Sequence, residues 1–240
     1  MDATSLLVNM LSDNRGVGFA NLSLEHSSTV DRVAEELRRA LFDGELDPGT
    51  ALREVALADA MGVSRSTIRE ALAVLVAEGL ARREPNRGVH VTELDLASVH
   101  DVCVARTVLE VAGVRRWGSA SDDAREAVRR ALIDFTSAAD SGASPADLTA
   151  AHLAIHRSLV GLAESPRLLA QADALAMEVR LGLAKVDRIR RNAREQVASH
   201  RALVGMLERG EIEAAATELE HHLAHAEESM LAALGLGSGS

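Results

Sequence analysis

Nine histidines are distributed over the 240 residues, and the spacing of a few of them could do chemistry. His152 and His156 stand four apart, so a helix would place both on one face. That is chelating spacing. His200 follows on a later helical segment, and His221, His222 and His225 on the last. Neutral imidazole suits zinc, nickel and copper, and a site with open positions also accepts a carboxylate oxygen. The spacing alone leaves a blander reading open, in which HxxxH on an Ala-rich helix is incidental. A hydrolytic metal centre also needs a general base. No Glu lies between His152 and His156, and no HExxH, GxSxG, GxGxxG or P-loop motif occurs. A metal-dependent hydrolase or a metal-sensing regulator is therefore the rival reading of this cluster, and the preferred expectation is that the chain is not an enzyme.

The elements that must position these side chains are helices. From about residue 94 to 234 the chain reads as amphipathic segments near 95–118, 121–140, 145–163, 166–186, 188–209 and 211–234. The breaks fall at Ser119–Ser121, Asp140-Ser141-Gly142, Glu164-Ser165-Pro166, around Asp187, and at Arg209-Gly210. Six such helices make a bundle. Three Phe, one Trp and no Tyr leave its interior to Ala, Leu and Val, which favours close helix packing. Cys103 is the single cysteine, read as a buried thiol; one cysteine makes no intramolecular disulfide and fits a reducing cytoplasm. No apolar run approaches the ~20 residues a bilayer requires. The first residues lack a basic, then apolar, leader pattern. The expectation is a cytoplasmic protein with no membrane partner.

The preceding third has a different texture. Ser28 is placed to cap a helix over Val30–Phe42, with Asp31 in its first turn. Asp47-Pro48-Gly49 is a turn. A short helix runs from Glu54 to Met61 and stops at Gly62. Ser64 caps a second, whose Ile68, Ala71, Leu72, Leu75 and Val76 form one apolar face. A turn over Pro85–Gly88 then leads to the alternating Val89–Thr92, a strand signal. Helix, glycine turn, helix and basic hairpin form the grammar of a winged helix-turn-helix. Its second helix presents Ser64, Arg65, Ser66, Thr67 and Arg69 at its start, where a helix entering the major groove meets base edges. Arg suits guanine, while Ser and Thr suit phosphate. Arg87 at the hairpin tip would reach phosphate or the minor groove, and Gly88 lets the backbone come close. Charge opposes this reading in bulk: the chain carries -10, and residues 27–92 hold nine Arg against eleven Asp and Glu. Arg65, Arg69, Arg82, Arg83 and Arg87 are nevertheless concentrated on the second helix and hairpin. Repulsion from elsewhere is screened beyond about 10 Å.

The run PGTALREVALADAMGVSRSTIREALAVLVAEGLARREPNRGVHV closely resembles the winged-helix domain of the GntR family of bacterial transcription regulators, with PG, LA, GVSR, REAL, EGL and the RG wing in order. The resemblance implies that Glu54, Arg65, Arg69 and the Gly88 wing contact double-stranded operator DNA, and that the protein binds short palindromes as a homodimer. Val55 is a departure, because some relatives carry Arg beside that Glu.

The later segments ARTVLEVAGVRRW, HLAIHRSLVGLAESPRLL and HRALVGMLERGEIEAAATELEHHL resemble the FCD ligand-binding domain, in its six-helix, VanR-like form. In that class an Asp, a His four residues on and two further His hold a metal. Carried over by position, these are His152, His156, His200 and His222, with His152 where Asp is expected. Four imidazoles favour nickel or zinc over harder divalent ions. His221 and His225 are then surface residues, and Trp117 packs the bundle. By the same resemblance Arg106 faces the cavity and pairs with an effector carboxylate. The residues themselves equally allow a structural salt bridge to Glu110 at i+4. The expected architecture is mainly α: an arm over 1–26, a winged helix-turn-helix over 27–93, an all-α effector-binding and dimerisation domain over 94–234, and a flexible tail over 235–240. The expected function is a regulator, a repressor released from its operator by a small organic acid bound near a metal.

Overall fold

The computed structural model describes residues 28–190 and 193–236, with the side chains of 183–190 outside that description. The arm expected over 1–26 and the last four residues of the tail lie outside the described residues. Ser28 closes a capping box. Its hydroxyl accepts from the Asp31 amide at 3.1 Å and the Asp31 carboxylate accepts from the Ser28 amide at 2.9 Å. Helix α1 (Thr29–Phe42) starts there and buries Val33, Ala34, Leu37 and Leu41. Helix α2 (Glu54–Met61) ends at Gly62, whose φ of 65° is the left-handed cap conformation that glycine adopts without a Cβ penalty. Helix α3 (Arg65–Ala77) is capped by Ser64 and buries Ile68, Ala71, Leu72 and Leu75 against α1.

A hairpin completes this unit. Strand β1 (Ala81–Glu84) pairs antiparallel with β2 (Gly88–Val91), in register from Ala81↔Val91 to Glu84↔Gly88. The sequence shows only the second strand. The first reads Ala-Arg-Arg-Glu, with one buried side chain and no apolar alternation, so pairing with β2 rather than propensity makes it a strand. The turn uses Pro85 followed by Asn86 at φ 63°, with the Arg87 amide donating to the Glu84 carbonyl at 3.2 Å.

Asp95 caps the next helix by accepting from the Ser98 amide at 2.8 Å. Six helices follow: α4 (Leu96–Val114), α5 (Asp122–Ser141), α6 (Pro145–Gly161), α7 (Pro166–Arg190), α8 (Ala193–Glu208) and α9 (Ile212–Leu234). The break expected around Asp187 does not occur, and α7 runs on to Arg190. Lys185 to Arg190 contains neither Gly nor Pro, and one Asp costs a helix well under about 1 kcal/mol. At the other end the tail begins as a helix cap, with Gly235 left-handed at φ 74° and the Leu236 amide donating to the Leu231 carbonyl. No helix among the described residues is long and apolar enough to cross a membrane.

Two packings matter for the site. Gly113 of α4 lies on the backbone of α6, where an added Cβ would stand 2.0 Å from the Leu159 carbonyl oxygen. Only glycine lets the two helices come this close, one turn beyond Glu110. Second, α7 reaches the N-terminal unit. Leu181 joins its core, with Met177 packed alongside, and the Arg180 guanidinium sits 3.8 Å from the centre of the Phe42 ring. Packing is thus continuous across the change of sequence texture near residue 93.

Candidate functional site: a DNA-reading face and a buried histidine centre

On α3 the Ser64 hydroxyl accepts from the Thr67 amide at 3.1 Å and lies 2.7 and 2.8 Å from the Ser66 and Thr67 hydroxyls. That cluster ties down the helix start from which Arg65 projects. Arg65 is exposed and has no ion-pair partner among the described residues. Arg69, one turn on, is also exposed but is held by Glu54 of α2 in a two-pronged pair, Nη2–Oε2 at 3.1 Å and Nε–Oε1 at 3.3 Å. The hydrogen bond from Arg69 holds the Glu54 carboxyl below the usual carboxylate range. The structure therefore brings Glu54, Arg65 and Arg69 together across two adjacent helices. It gives Glu54 a role that motif reading missed, that of fixing an arginine's direction. At the hairpin tip Arg87 extends into solvent, with Nη1 2.7 Å from Glu84, beside the left-handed Gly88 at φ 89°. Val55, beside Glu54, is 52 % exposed.

The four histidines carried over by position meet inside the bundle. Their ligand atoms all lie within 4.8 Å of one another, with His152 and His156 from α6, His200 from α8 and His222 from α9. His156 and His200 are buried, at 4 % and 1 % exposure. His156 Nδ1 lies 2.7 Å from a Glu110 carboxylate oxygen, and His200 Nδ1 donates to the Gln196 carbonyl at 2.7 Å. With each Nδ1 carrying the proton, each Nε2 presents a bare lone pair. Those two Nε2 atoms are 3.1 Å apart, and His156 Nε2 is 3.2 Å from His152 Nε2. Two lone pairs facing at that distance repel; a cation between them turns the repulsion into coordination. Ligands about 2.0–2.1 Å from one ion stand roughly 2.8–3.4 Å apart at octahedral to tetrahedral angles, so these two spacings fit, and atoms spread over as much as 4.8 Å would close in on a bound ion. His222 Nε2 is buried without a hydrogen-bond partner, a further unused donor pair. Burial is the main reason all four imidazoles are held below their usual pKa, that of His222 to about 3, so they are neutral near pH 7. Phe135 stacks on His152 at 5.1 Å between ring centres and meets His200 edge-on, walling off one side.

Arg106 satisfies parts of both readings of it. Its Nε donates to Glu110 at 2.8 Å within one buried helix face, so the i+4 salt bridge exists. Its Nη2 is buried with no partner. Arg106, Glu110 and His156 border a small cavity of about 10 Å³, roughly room for one water, whose other walls include Leu153, Leu175 and Ala176. Burial pushes the Glu110 carboxyl up, while Arg106 pulls it back toward the ionised form. Glu110 thus orients His156 with one oxygen and Arg106 with the other. Its role was not visible in the chain, because its second partner lies 46 residues away. The outlying histidines are as expected: His221 and His225 are exposed. Trp117 is buried in the bundle beneath the Arg129 guanidinium, and Cys103 is buried, its thiol pushed up to about 11 by desolvation.

Residues 29–91 match the family model described as bacterial regulatory proteins, gntR family, and residues 101–225 match the FCD domain. The "Probable D-xylose utilization operon transcriptional repressor" of Paenarthrobacter nicotinovorans is 30 % identical over 84 % of this chain and 88 % of its own. The gluconate operon transcriptional repressor of Bacillus licheniformis is 36 % identical over 47 % of this chain and 46 % of its own. Among solved structures, a GntR transcriptional regulator from Rhodococcus sp. RHA1 superposes with a TM-score of 0.74 at 28 % identity, covering 86 % of this chain and 99 % of that one. Escherichia coli McbR/YncC, at 21 % identity and a TM-score of 0.66 over 88 % of this chain and 98 % of its own, shares the fold. The matched family and the two operon repressors are transcriptional regulators, not enzymes.

Proposed function

Since this chain belongs to the gntR family of bacterial regulatory proteins and carries an FCD domain, it is a DNA-binding transcriptional regulator, and we propose that it is a homodimeric repressor in the cytoplasm, released from a palindromic operator by a small carboxylate. The DNA-binding domain of this reading spans 27–93 and the effector domain 94–234. Glu54, Ser64, Arg65, Ser66, Thr67, Arg69, Arg87 and Gly88 form its DNA surface. Arg65 reads a base and Arg69 is aimed by Glu54, while Arg87 and the serines hold phosphate.

The effector site is the buried group around Arg106, where the closed bundle leaves room for about one water, so a carboxylate enters as α7 moves aside. The observation that carries this reading is that two buried atoms close to the histidine cluster have no hydrogen-bond partner, the Arg106 Nη2 donor and the His222 Nε2 acceptor. A buried donor left unpaired costs about 1–3 kcal/mol, which an anionic ligand would recover. His152, His156, His200 and His222 would hold a divalent ion, zinc or nickel, which when bound supplies positive charge and an open position for a carboxylate. Glu110 and the Gln196 carbonyl fix the ligand tautomers by accepting from Nδ1. Helix α7 gives the site a route to DNA. Leu175 and Ala176 line the cavity, and Met177, Arg180 and Leu181, up to six residues on, pack into the DNA-binding unit. An effector that displaces α7 shifts the winged helices only by its differential affinity for the two arrangements.

Fluorescence anisotropy with labelled DNA from upstream of the gene tests this reading, with zinc- or nickel-loaded protein titrated with a panel of small carboxylates, sugar acids first. The expected result is a specific complex whose affinity falls at least tenfold with one panel member. Operator affinity indifferent to every member, with and without metal, would overturn the effector assignment.

A further inference from the structure

Helix α4 is apolar nearly all round. Its 19 residues include only Asp101, Arg106 and Glu110 as charged groups, and the last two are buried. A helix of that composition is buried in its native assembly. Within one chain α4 packs against α6, α7 and α9, and its ends are tied to α9 by His100–Glu227 at 2.9 Å and Arg115–Glu213 at 3.0 Å. One strip stays uncovered: Asp101, Val104, Val108 and Ala112, ending at Arg115, spaced three, four, four and three residues apart. Val104 is 47 % exposed and Val108 64 %, on a helix whose other faces are packed.

We propose that this strip of α4 docks on the same strip of a second copy of the chain, antiparallel, about a two-fold axis through Val108. The strip is self-complementary about that residue. Val108 meets its own copy, Val104 meets Ala112 of the second chain, and Asp101 meets Arg115, each of the last two contacts occurring twice. A small residue opposite each Val104 allows the axes to approach to about 8–10 Å. Asp101 has no ion-pair partner among the described residues, and Arg115 engages Glu213 through Nε and Nη2, leaving Nη1 for a second carboxylate. Parallel docking would set Asp101 against Asp101. Charge therefore selects the antiparallel, isologous arrangement, which is also what a two-fold palindrome requires of its reader.

This inference rests on the homodimeric reading above, and the test separates the two. Sedimentation of the full-length chain and of Val108→Asp is compared at micromolar concentration, with circular dichroism and thermal unfolding as controls for folding. The expected result is a dimer for the wild-type chain and a folded monomer for Val108→Asp. In parallel, Val108→Cys is oxidised mildly, with Ile133→Cys on the exposed side of α5 as control; only the first should form a disulfide-linked dimer. A wild-type monomer would overturn both the dimer and the surface. A Val108→Asp chain that remains dimeric, or an Ile133→Cys chain that cross-links as readily as Val108→Cys, would overturn the surface and leave the dimer standing.

Discussion

The proposed DNA-reading face carries its side chains on one short stretch, Glu54 to Gly88, and leaves most of them in solvent. The histidine centre draws Arg106, Glu110, His152, His156, His200 and His222 from four helices, and leaves Arg106 Nη2 and His222 Nε2 buried without a hydrogen-bond partner. The two face different energetic problems. On the reading face an arginine costs little while it waits for DNA, because water solvates it, and Glu54 needs only to restrict where Arg69 points. In the bundle every lone pair without a partner is a standing cost, so the arrangement persists only because packing enforces it. Gly113 against the Leu159 carbonyl is one place where that enforcement is visible. An exposed surface keeps its partner optional, whereas a buried cluster of bare nitrogens gains from one.

The sharpest way to break the contrast is at the centre. His156→Ala removes one of the four proposed ligands, the one whose Nε2 lies 3.1 and 3.2 Å from its neighbours'. Metal content by elemental mass spectrometry on untagged protein purified without chelator should fall from about one ion per chain to background while helicity is retained. Equal metal in both proteins would place the ion elsewhere. Next in size, Arg65→Ala should cost roughly 1–3 kcal/mol of specific binding, about five- to 150-fold in operator affinity, with little change on unrelated DNA. An unchanged operator affinity would move base reading to another residue. Glu110→Gln keeps volume but weakens the acceptor for His156 Nδ1, and should lower metal affinity by about ten- to 100-fold in a competition titration with a chelating dye. Smallest is Arg87→Ala, expected to weaken binding to all sequences alike and to lower the slope of log K against log salt by about one. A loss confined to one base position would contradict a phosphate role.

The two regions also differ in how far the chain itself discloses them. The reading face was legible because its signals are local: Ser64 as cap, Gly62 as stop, arginines at one helix start, Pro85 to Gly88 as turn. Strand β1 was not, since Ala81 to Glu84 carries no pattern of its own. In the bundle the helices could be placed to within a few residues, except where α7 continues through Asp187 without a breaker. The four histidines could be gathered only by resemblance, because nothing in the spacing of 152, 156, 200 and 222 states that three helices converge. Glu110 was visible as the i+4 partner of Arg106 and invisible as the partner of His156. That second contact exists only because Gly113 lets α4 and α6 touch.

Leu181 carries a consequence for anyone wishing to reuse this reading head. The hydrophobic interior beneath α1 and α3 is closed by a side chain from the effector-binding half, with Arg180 laid over Phe42 beside it. Cut after residue 93, the winged helix would expose that seam to water, and grafted onto another receiver it would meet the wrong plug. In this molecule the part that touches the genome is not a portable cartridge. It is fitted to its own sensor, and the two would be expected to melt as one unit and to diversify together.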